Sequence, residues 1–254
     1  APMNFNDYCS CAINTEYREN YPYMPEDGLT LYWNSLDRPG GPGHYDIWYA
    51  TRASIDDPFG EAAPMNSINT PYGDSVPRLS KDQLTMFFVS TRPGGERDGV
   101  QDIWVATRAS KSDEFSNPIN ANAWAGTEIN LELPETGPSI SGTEAALFFS
   151  DSATDPLNVR PGGEGQHDIW VALRDGEEGM FGEPINLNDL GIGSGLEIPG
   201  AVNTELWELQ AYVTPDWPAR GATMVYVTNR DSAAGAFDRD IWVADWTDTL
   251  DASQ

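Results

Sequence analysis

The tripeptide Asp-Ile-Trp occurs four times, at Asp46-Ile47-Trp48, Asp102-Ile103-Trp104, Asp168-Ile169-Trp170 and Asp240-Ile241-Trp242. Such a repeat restricts the fold more than any local propensity, because four similar units need four similar environments. Each copy runs on into a short strand-like segment, such as Val105-Ala106-Thr107-Arg108. A turn precedes each copy. It reads Arg-Pro-Gly-Gly at Arg38-Pro39-Gly40-Gly41, Arg92-Pro93-Gly94-Gly95 and Arg160-Pro161-Gly162-Gly163, and Asn229-Arg230-Asp231-Ser232 in the fourth unit. Before each turn lies an apolar run: Leu31-Tyr32-Trp33, Met86-Phe87-Phe88, Leu147-Phe148-Phe149 and Met224-Val225-Tyr226. Upstream again, shorter runs start on an acid, Glu19, Asp74, Glu135 or Glu208. A Pro-x-Asn segment closes three units, at Pro64-Met65-Asn66, Pro118-Ile119-Asn120 and Pro184-Ile185-Asn186. The fourth copy stands at the other end of the chain, at Pro2-Met3-Asn4.

Each unit therefore reads as four short strands, a to d, separated by turn residues that favour antiparallel connections. Four-stranded units repeated about an axis make a propeller. The expected fold is all-β: one four-bladed β-propeller over 1–254, with blades at about 19–66, 74–120, 135–186 and 208–250 plus 1–5. The N-terminal strand would complete the last blade and close the ring, which removes exposed sheet edges. No helical period is present, so helix content should be near zero.

The order of acid, Pro, strand, Arg-Pro-Gly-Gly and Asp-Ile-Trp resembles the TolB-like, WD-like propeller repeat (PD40-type) common in exported bacterial proteins. The resemblance covers nearly the whole chain. It implies the fold but not one function, since such propellers include partner-binding modules, sensors and enzymes. TolB-like propellers usually have six or more blades, and the repeat count here is four.

Composition narrows the partners. Lys+Arg number 14 against 40 Asp+Glu, a formal net charge of -26. A phosphate backbone would repel such a chain, which excludes nucleic acid as a default partner. No stretch of about 18 apolar residues exists, so no membrane insertion is expected. The chain opens Ala1-Pro2-Met3-Asn4, and it reads as a secreted or periplasmic protein whose signal peptide has been removed. Its acidity suits that setting, or high salt, or a protein that holds cations. Cys9 and Cys11 form a small disulfide clip, stay free, or make a Cys-x-Cys metal or redox site.

In a propeller, strand a lines the axis, and its N-terminal end opens on the face that carries the d–a and b–c loops. Glu19, Asp74, Glu135 and Glu208 are therefore expected to ring the central channel near one mouth. Carboxylates that close raise one another's pKa or take up a cation, and Ca²⁺ favours such oxygen ligands. The alternative is that each acid caps neighbouring backbone. Long d–a connections, which hold Trp124, Glu128, Asp189 and Trp207, project from the same face. The b–c turns bring Arg38, Arg92, Arg160 and Arg230 there, with His44 and His167 at their far ends. Tyr21, Tyr23, Tyr212 and Trp207 offer rings for stacking on a sugar or an organic cation.

Three functions follow from this face. The first is an exported binding module for a small polar or cationic ligand, a saccharide or a peptide, with Ca²⁺ as a candidate ion. The second is a lyase or hydrolase in which His44, His167, Glu135 or Glu208 serves as general base or acid and an arginine steadies negative charge. The third is a docking surface for a protein partner. No Gly-x-Ser-x-Gly, P-loop, dinucleotide fingerprint or EF-hand spacing is present.

Overall fold

A computed structural model describes residues 6, 12–151, 159–174, 179–190, 202–214, 216–217, 222–229 and 240–245. Four antiparallel sheets stand in a ring, which makes the chain a four-bladed β-propeller. Blade 1 holds β1 (Arg18–Tyr23), β2 (Thr30–Leu36), β3 (Tyr45–Thr51) and β4 (Ala63–Pro64). Blade 2 holds β5 (Asp74–Leu79), β6 (Thr85–Ser90), β7 (Asp102–Thr107) and β8 (Ser116–Asn120). Blade 3 holds β9 (Glu135–Ile140), β10 (Ala146–Asp151), β11 (Ile169–Leu173) and β12 (Ile185–Asn186). Among the described residues blade 4 holds β13 (Glu208–Val213), β14 (Thr223–Thr228) and β15 (Asp240–Asp245). Within every sheet the strands lie in chain order, with the acid-led strand innermost.

The expected closing strand lies at residues 1–5, outside the described residues. One contact bears on it. The side chains of Asn122 and Asn188 each bridge the backbone N–H and C=O of one residue further on, Asn130 and Asn203. Asn6 makes the same two bonds with the backbone of Asn14. The segment ahead of β1 thus carries the d-to-a connection that elsewhere links one blade to the next.

The middle strands of blades 2 and 3 are apolar because both faces of these blades are covered. Among the described residues three hydrophobic cores lie between successive blades, and a fourth lies between blade 1 and the segment ahead of it. Phe87, Ile103 and Val105 of blade 2 meet Leu147, Phe149 and Trp170 of blade 3. Tyr32 and Ile47 of blade 1 meet Phe88 and Trp104 of blade 2. Phe148 and Val171 of blade 3 meet Met224 and Tyr226 of blade 4, and Trp48 with Trp33 packs on Ile13. Trp104, Trp170 and Trp242 therefore fill the seam with the preceding blade.

Polar residues tie these layers. Asn69, Asn130 and Asn203 each bond both the N–H and the C=O of a tripeptide isoleucine, Ile47, Ile103 and Ile169, at 2.8–2.9 Å. The expectation of almost no helix needs a small correction. A five-residue helix, α1 (Ala121–Ala125), follows β8, capped by the Asn120 side chain and by Gly126 at φ 75°. One helical turn is too short to leave a period in the sequence.

The tripeptide aspartates accept hydrogen bonds from the preceding turn. Asp46 takes the Gly43 N–H, Asp102 the Glu96 N–H, and Asp168 the N–H groups of Glu164 and Gly165. Burial pushes all three carboxyls up to about 6. A carboxyl raised on folding holds its proton more tightly in the native state, so its contribution is complete below the unfolded value of 3.8 and fades as pH rises through about 6. The protein is therefore expected to resist urea better at pH 5 than at pH 7, an order that easing of its negative self-repulsion reinforces. A midpoint that falls steadily from pH 7 to pH 5 contradicts this.

Candidate functional site

The four strand-a acids do not face the channel, and this corrects the expected carboxylate ring. Asp74, Glu135 and Glu208 are fully buried and Glu19 is half-buried. Each accepts the backbone N–H of the residue four positions earlier: Thr15, Thr70, Leu131 and Thr204. Glu19, Asp74 and Glu208 also accept the hydroxyl of that threonine. Arg92 completes Asp74 at 2.7 Å and Arg160 completes Glu135 at 3.2 Å. Burial raises the Glu135 carboxyl, and Arg160 draws it back. The capping alternative describes these four groups. The axial Ca²⁺ site posed on them has no carboxylate cage there, and among the described residues no three of His, Cys, Asp and Glu are gathered to hold a metal.

The turn arginines also run inward. Arg38 donates to the carbonyls of Ala12 and Ile13, Arg92 to that of Ile68, and Arg160 to those of Glu128 and Ile129. Their guanidinium groups stack over Trp48, Trp104 and Trp170 at 4.0, 5.1 and 5.3 Å. The fourth turn arginine, Arg230, and the cysteines Cys9 and Cys11 lie outside the described residues. A second tier escaped the sequence reading. Arg52, Arg108 and Arg174 leave the ends of β3, β7 and β11, bond the carbonyls of Gly28, Gln83 and Glu144, and stack over Phe59, Phe115 and Phe181.

What lines the mouth is the next pair of residues along each innermost strand. Every strand a carries a bulge, with Tyr21, Val76, Gly137 and Gln210 at φ 52°, 53°, 62° and 57°. In three blades a proline follows, Pro22, Pro77 or Pro138, whose missing N–H suits a position skipped by the ladder. A left-handed β-branched residue such as Val76 is a strained one. The bulge turns two consecutive side chains of a strand toward the axis. Asn20 with Tyr21, Ser75 with Val76, and Leu209 with Gln210 all line a cavity of about 360 Å³, joined by Thr136. The residue ahead of the tripeptide in blades 1 to 3 completes the wall, as Tyr45, Gln101 and His167, and Arg18 and Asn34 also border it.

This ring differs in kind from its scaffold. The positions that hold the blades together repeat, whereas the positions that face the mouth change from blade to blade. Asn34 departs furthest. The b–c register aligns it with Val89, Ser150 and Val227. Ser150 accepts the Gln210 N–H at 3.1 Å. Asn34 is fully buried, lines the cavity, and among the described residues has no hydrogen-bond partner for either amide atom.

The remaining candidates divide. His167 borders the mouth, buried, with its ring against Trp207 at 4.8 Å. Trp207 donates to the Gln166 side chain at 2.6 Å and does not line the cavity. His44 is exposed beside Asp37 at 2.6 Å and does not line it either. Trp124 packs between Phe87 and Phe181 as part of a seam. Tyr21 reaches the mouth, but Tyr23 and Tyr212 lie at the other end of the channel. No helix among the described residues is long and apolar enough to cross a membrane.

No family model matches the chain, and no curated protein sequence matches it. Solved structures do share the fold. A putative TolB from Agrobacterium tumefaciens is 16% identical with a TM-score of 0.50, over 92% of this chain and 64% of that one. An α-L-arabinofuranosidase from Lactobacillus brevis is 12% identical with a TM-score of 0.49, over 92% of this chain and 74% of that one. TolB from Acinetobacter baumannii is 11% identical with a TM-score of 0.38, over 91% of this chain and 44% of that one. The chain thus spans under two thirds of the length of either TolB. At such identities the likeness to the Agrobacterium protein speaks for the propeller fold alone.

Proposed function

We propose that the chain is a binding module whose ligand sits in the channel mouth on the face of the d–a and b–c loops. The cavity of about 360 Å³ falls within the range of small-molecule sites. Its wall offers amides, hydroxyls and two rings, from Asn20, Gln101, Gln210, Ser75, Thr136, Tyr21 and Tyr45. That set fits a neutral ligand rich in hydroxyl or amide groups, a saccharide or a short peptide. The acidic surface suits a secreted or periplasmic setting for such a module. The reading does not call on Ca²⁺, since the strand-a carboxylates are engaged by the fold.

One observation carries it: Asn34, buried and with no hydrogen-bond partner for its amide among the described residues, borders the cavity at a position held by valine in two other blades. A buried unpaired polar group costs about 1–3 kcal/mol, and a ligand that pairs it recovers much of that. The Asn34→Val protein is therefore expected to be at least as stable as the parent, and to lose binding in a glycan and peptide screen. Retained binding by Asn34→Val, or a stable parent with no hit on either array, would sink the reading.

A further inference from the structure

The far end of the channel is built for a different partner. Four residues past each strand-a acid stand Tyr23, Arg78, Ser139 and Tyr212, and all four border one cavity of about 50 Å³. The ring thus holds one guanidinium and three hydroxyls, of which that of Tyr23 donates to the Leu79 carbonyl at 3.4 Å. Lys81, one of the chain's two lysines, borders the same space. Such a space admits a few waters or one small oxyanion.

Arg78 is the unusual member. Its guanidinium donates to the carbonyl of the preceding Pro77 at 2.8 Å. Its guanidinium lies 5.3 Å from the Tyr23 ring centre. Among the described residues it has no carboxylate within ion-pair distance, whereas Arg92, Arg160 and Arg174 each have one. Glu26 borders the cavity from an exposed position without reaching it. Arg18, Arg38, Arg52, Arg97 and Arg108 also lack such a pair among the described residues, and what sets Arg78 apart is its place at the far end of the channel beside Lys81. Burial also pushes the Tyr23 hydroxyl up to about 12, so it keeps its proton across the neutral range.

We propose that this ring is a carboxylate-binding site: the Arg78 fork takes both oxygens of a carboxylate, and the hydroxyls of Ser139 and Tyr212 complete the shell. A planar guanidinium matches a carboxylate with two parallel bonds, which favours it over a spherical anion. The chain's net negative charge opposes any anion at long range, and moderate salt screens that repulsion more than the close contact.

Line broadening of 13C-labelled acetate tests it, at neutral pH and fixed ionic strength. The parent protein is expected to broaden the signal saturably, with chloride competing at least tenfold less well than unlabelled formate. Arg78→Met should abolish the effect, and Glu26→Gln should strengthen it by removing a nearby negative charge. Should Arg78→Met fail to fold, Ser139→Ala with Tyr212→Phe should weaken acetate several-fold in a protein that keeps its parent Tm. A short peptide with a free C-terminus that displaces acetate, where its amidated form does not, identifies a chain terminus as the source; displacement by neither leaves a small free carboxylate. No saturable broadening by the parent, or equal broadening by Arg78→Met, overturns the site.

Discussion

Gly95→Ala is expected to destabilise the protein by about 3 kcal/mol, a loss on the scale of a buried polar contact broken by a steric clash. Gly95 ends the Arg-Pro-Gly-Gly turn of blade 2. A methyl group there would overlap the Asp102 carboxylate, which is 1% exposed and holds the Glu96 N–H at 2.7 Å. Backbone conformation is not the reason, because the left-handed glycine of this turn is its neighbour Gly94, at φ 91°. Asp102 must therefore move, and both the turn amide and the carboxylate lose a partner. A fall in Tm of roughly 6–12 °C follows for a domain of this size. Gly99→Ala is the control. Gly99 sits at φ 80° with nothing within 4 Å of the added carbon, so strain alone should cost about 1 kcal/mol. The mechanism is tested by Gly95→Ala with Asp102→Ala: without the carboxylate there is no clash, so the pair should cost little more than Asp102→Ala alone. Full additivity in denaturant unfolding would refute it.

The same turn shows what was legible in the sequence and why. Arg-Pro-Gly-Gly and Asp-Ile-Trp repeat because the turn, the aspartate and the tryptophan form one interlocked unit that every blade needs. Repetition therefore reports scaffold. Blade number and strand order followed from it directly. The site did not, for the same reason. Reading the repeated acids as the channel lining mistook a scaffold position for a functional one. Side chains alternate along a strand, and the acid occupies the face turned to the loop backbone, while its successor faces the axis. The bulges at Tyr21, Val76, Gly137 and Gln210 then bring a second residue to that axis, and only the recurrent proline hints at them.

A signal for the mouth was nevertheless present, as departures from the pattern rather than as the pattern. Asn34 stands where valine occurs in blades 2 and 4, and Tyr45, Gln101 and His167 vary immediately before an otherwise constant Asp-Ile-Trp. A propeller keeps its seams alike and is free to vary its rim, so the rim is where a ligand can be read. The paired asparagines of the d–a loops were missed for another reason. Their spacing changes with loop length, as Asn122 with Asn130 and Asn188 with Asn203 show, so no fixed interval marks them.

Arg160→Met is expected to be the most damaging of the three turn-arginine variants, at about 4 kcal/mol, because it leaves a buried carboxyl and two carbonyls without their guanidinium donor. Arg160 is 5% exposed and Glu135 is not exposed at all. Without the guanidinium, Glu135 keeps only the Leu131 N–H, and the carbonyls of Glu128 and Ile129 each lose a donor. Arg92→Met should cost less, about 2–3 kcal/mol, since Asp74 retains both the N–H and the hydroxyl of Thr70. Arg38→Met should cost about 1 kcal/mol, because Arg38 bonds the carbonyls of Ala12 and Ile13 and is in no ion pair among the described residues, so no carboxylate loses its partner. The sign with pH separates this account from lost packing on Phe149 and Trp170. Burial raises Glu135 and Arg160 is the largest influence lowering it, so removing Arg160 leaves little besides the Leu131 N–H to oppose burial. The variant's carboxyl then holds its proton beyond the parent's value of about 9, and because the unfolded chain titrates alike in both, the gap widens as pH climbs through about 9. Denaturant unfolding of parent and Arg160→Met at pH 7 and pH 10 should show the larger gap at pH 10, and Glu135→Gln with Arg160→Met should remove the difference between the two pH values. An equal gap at both would mean that the arginine acts through packing, with no charge left stranded behind it.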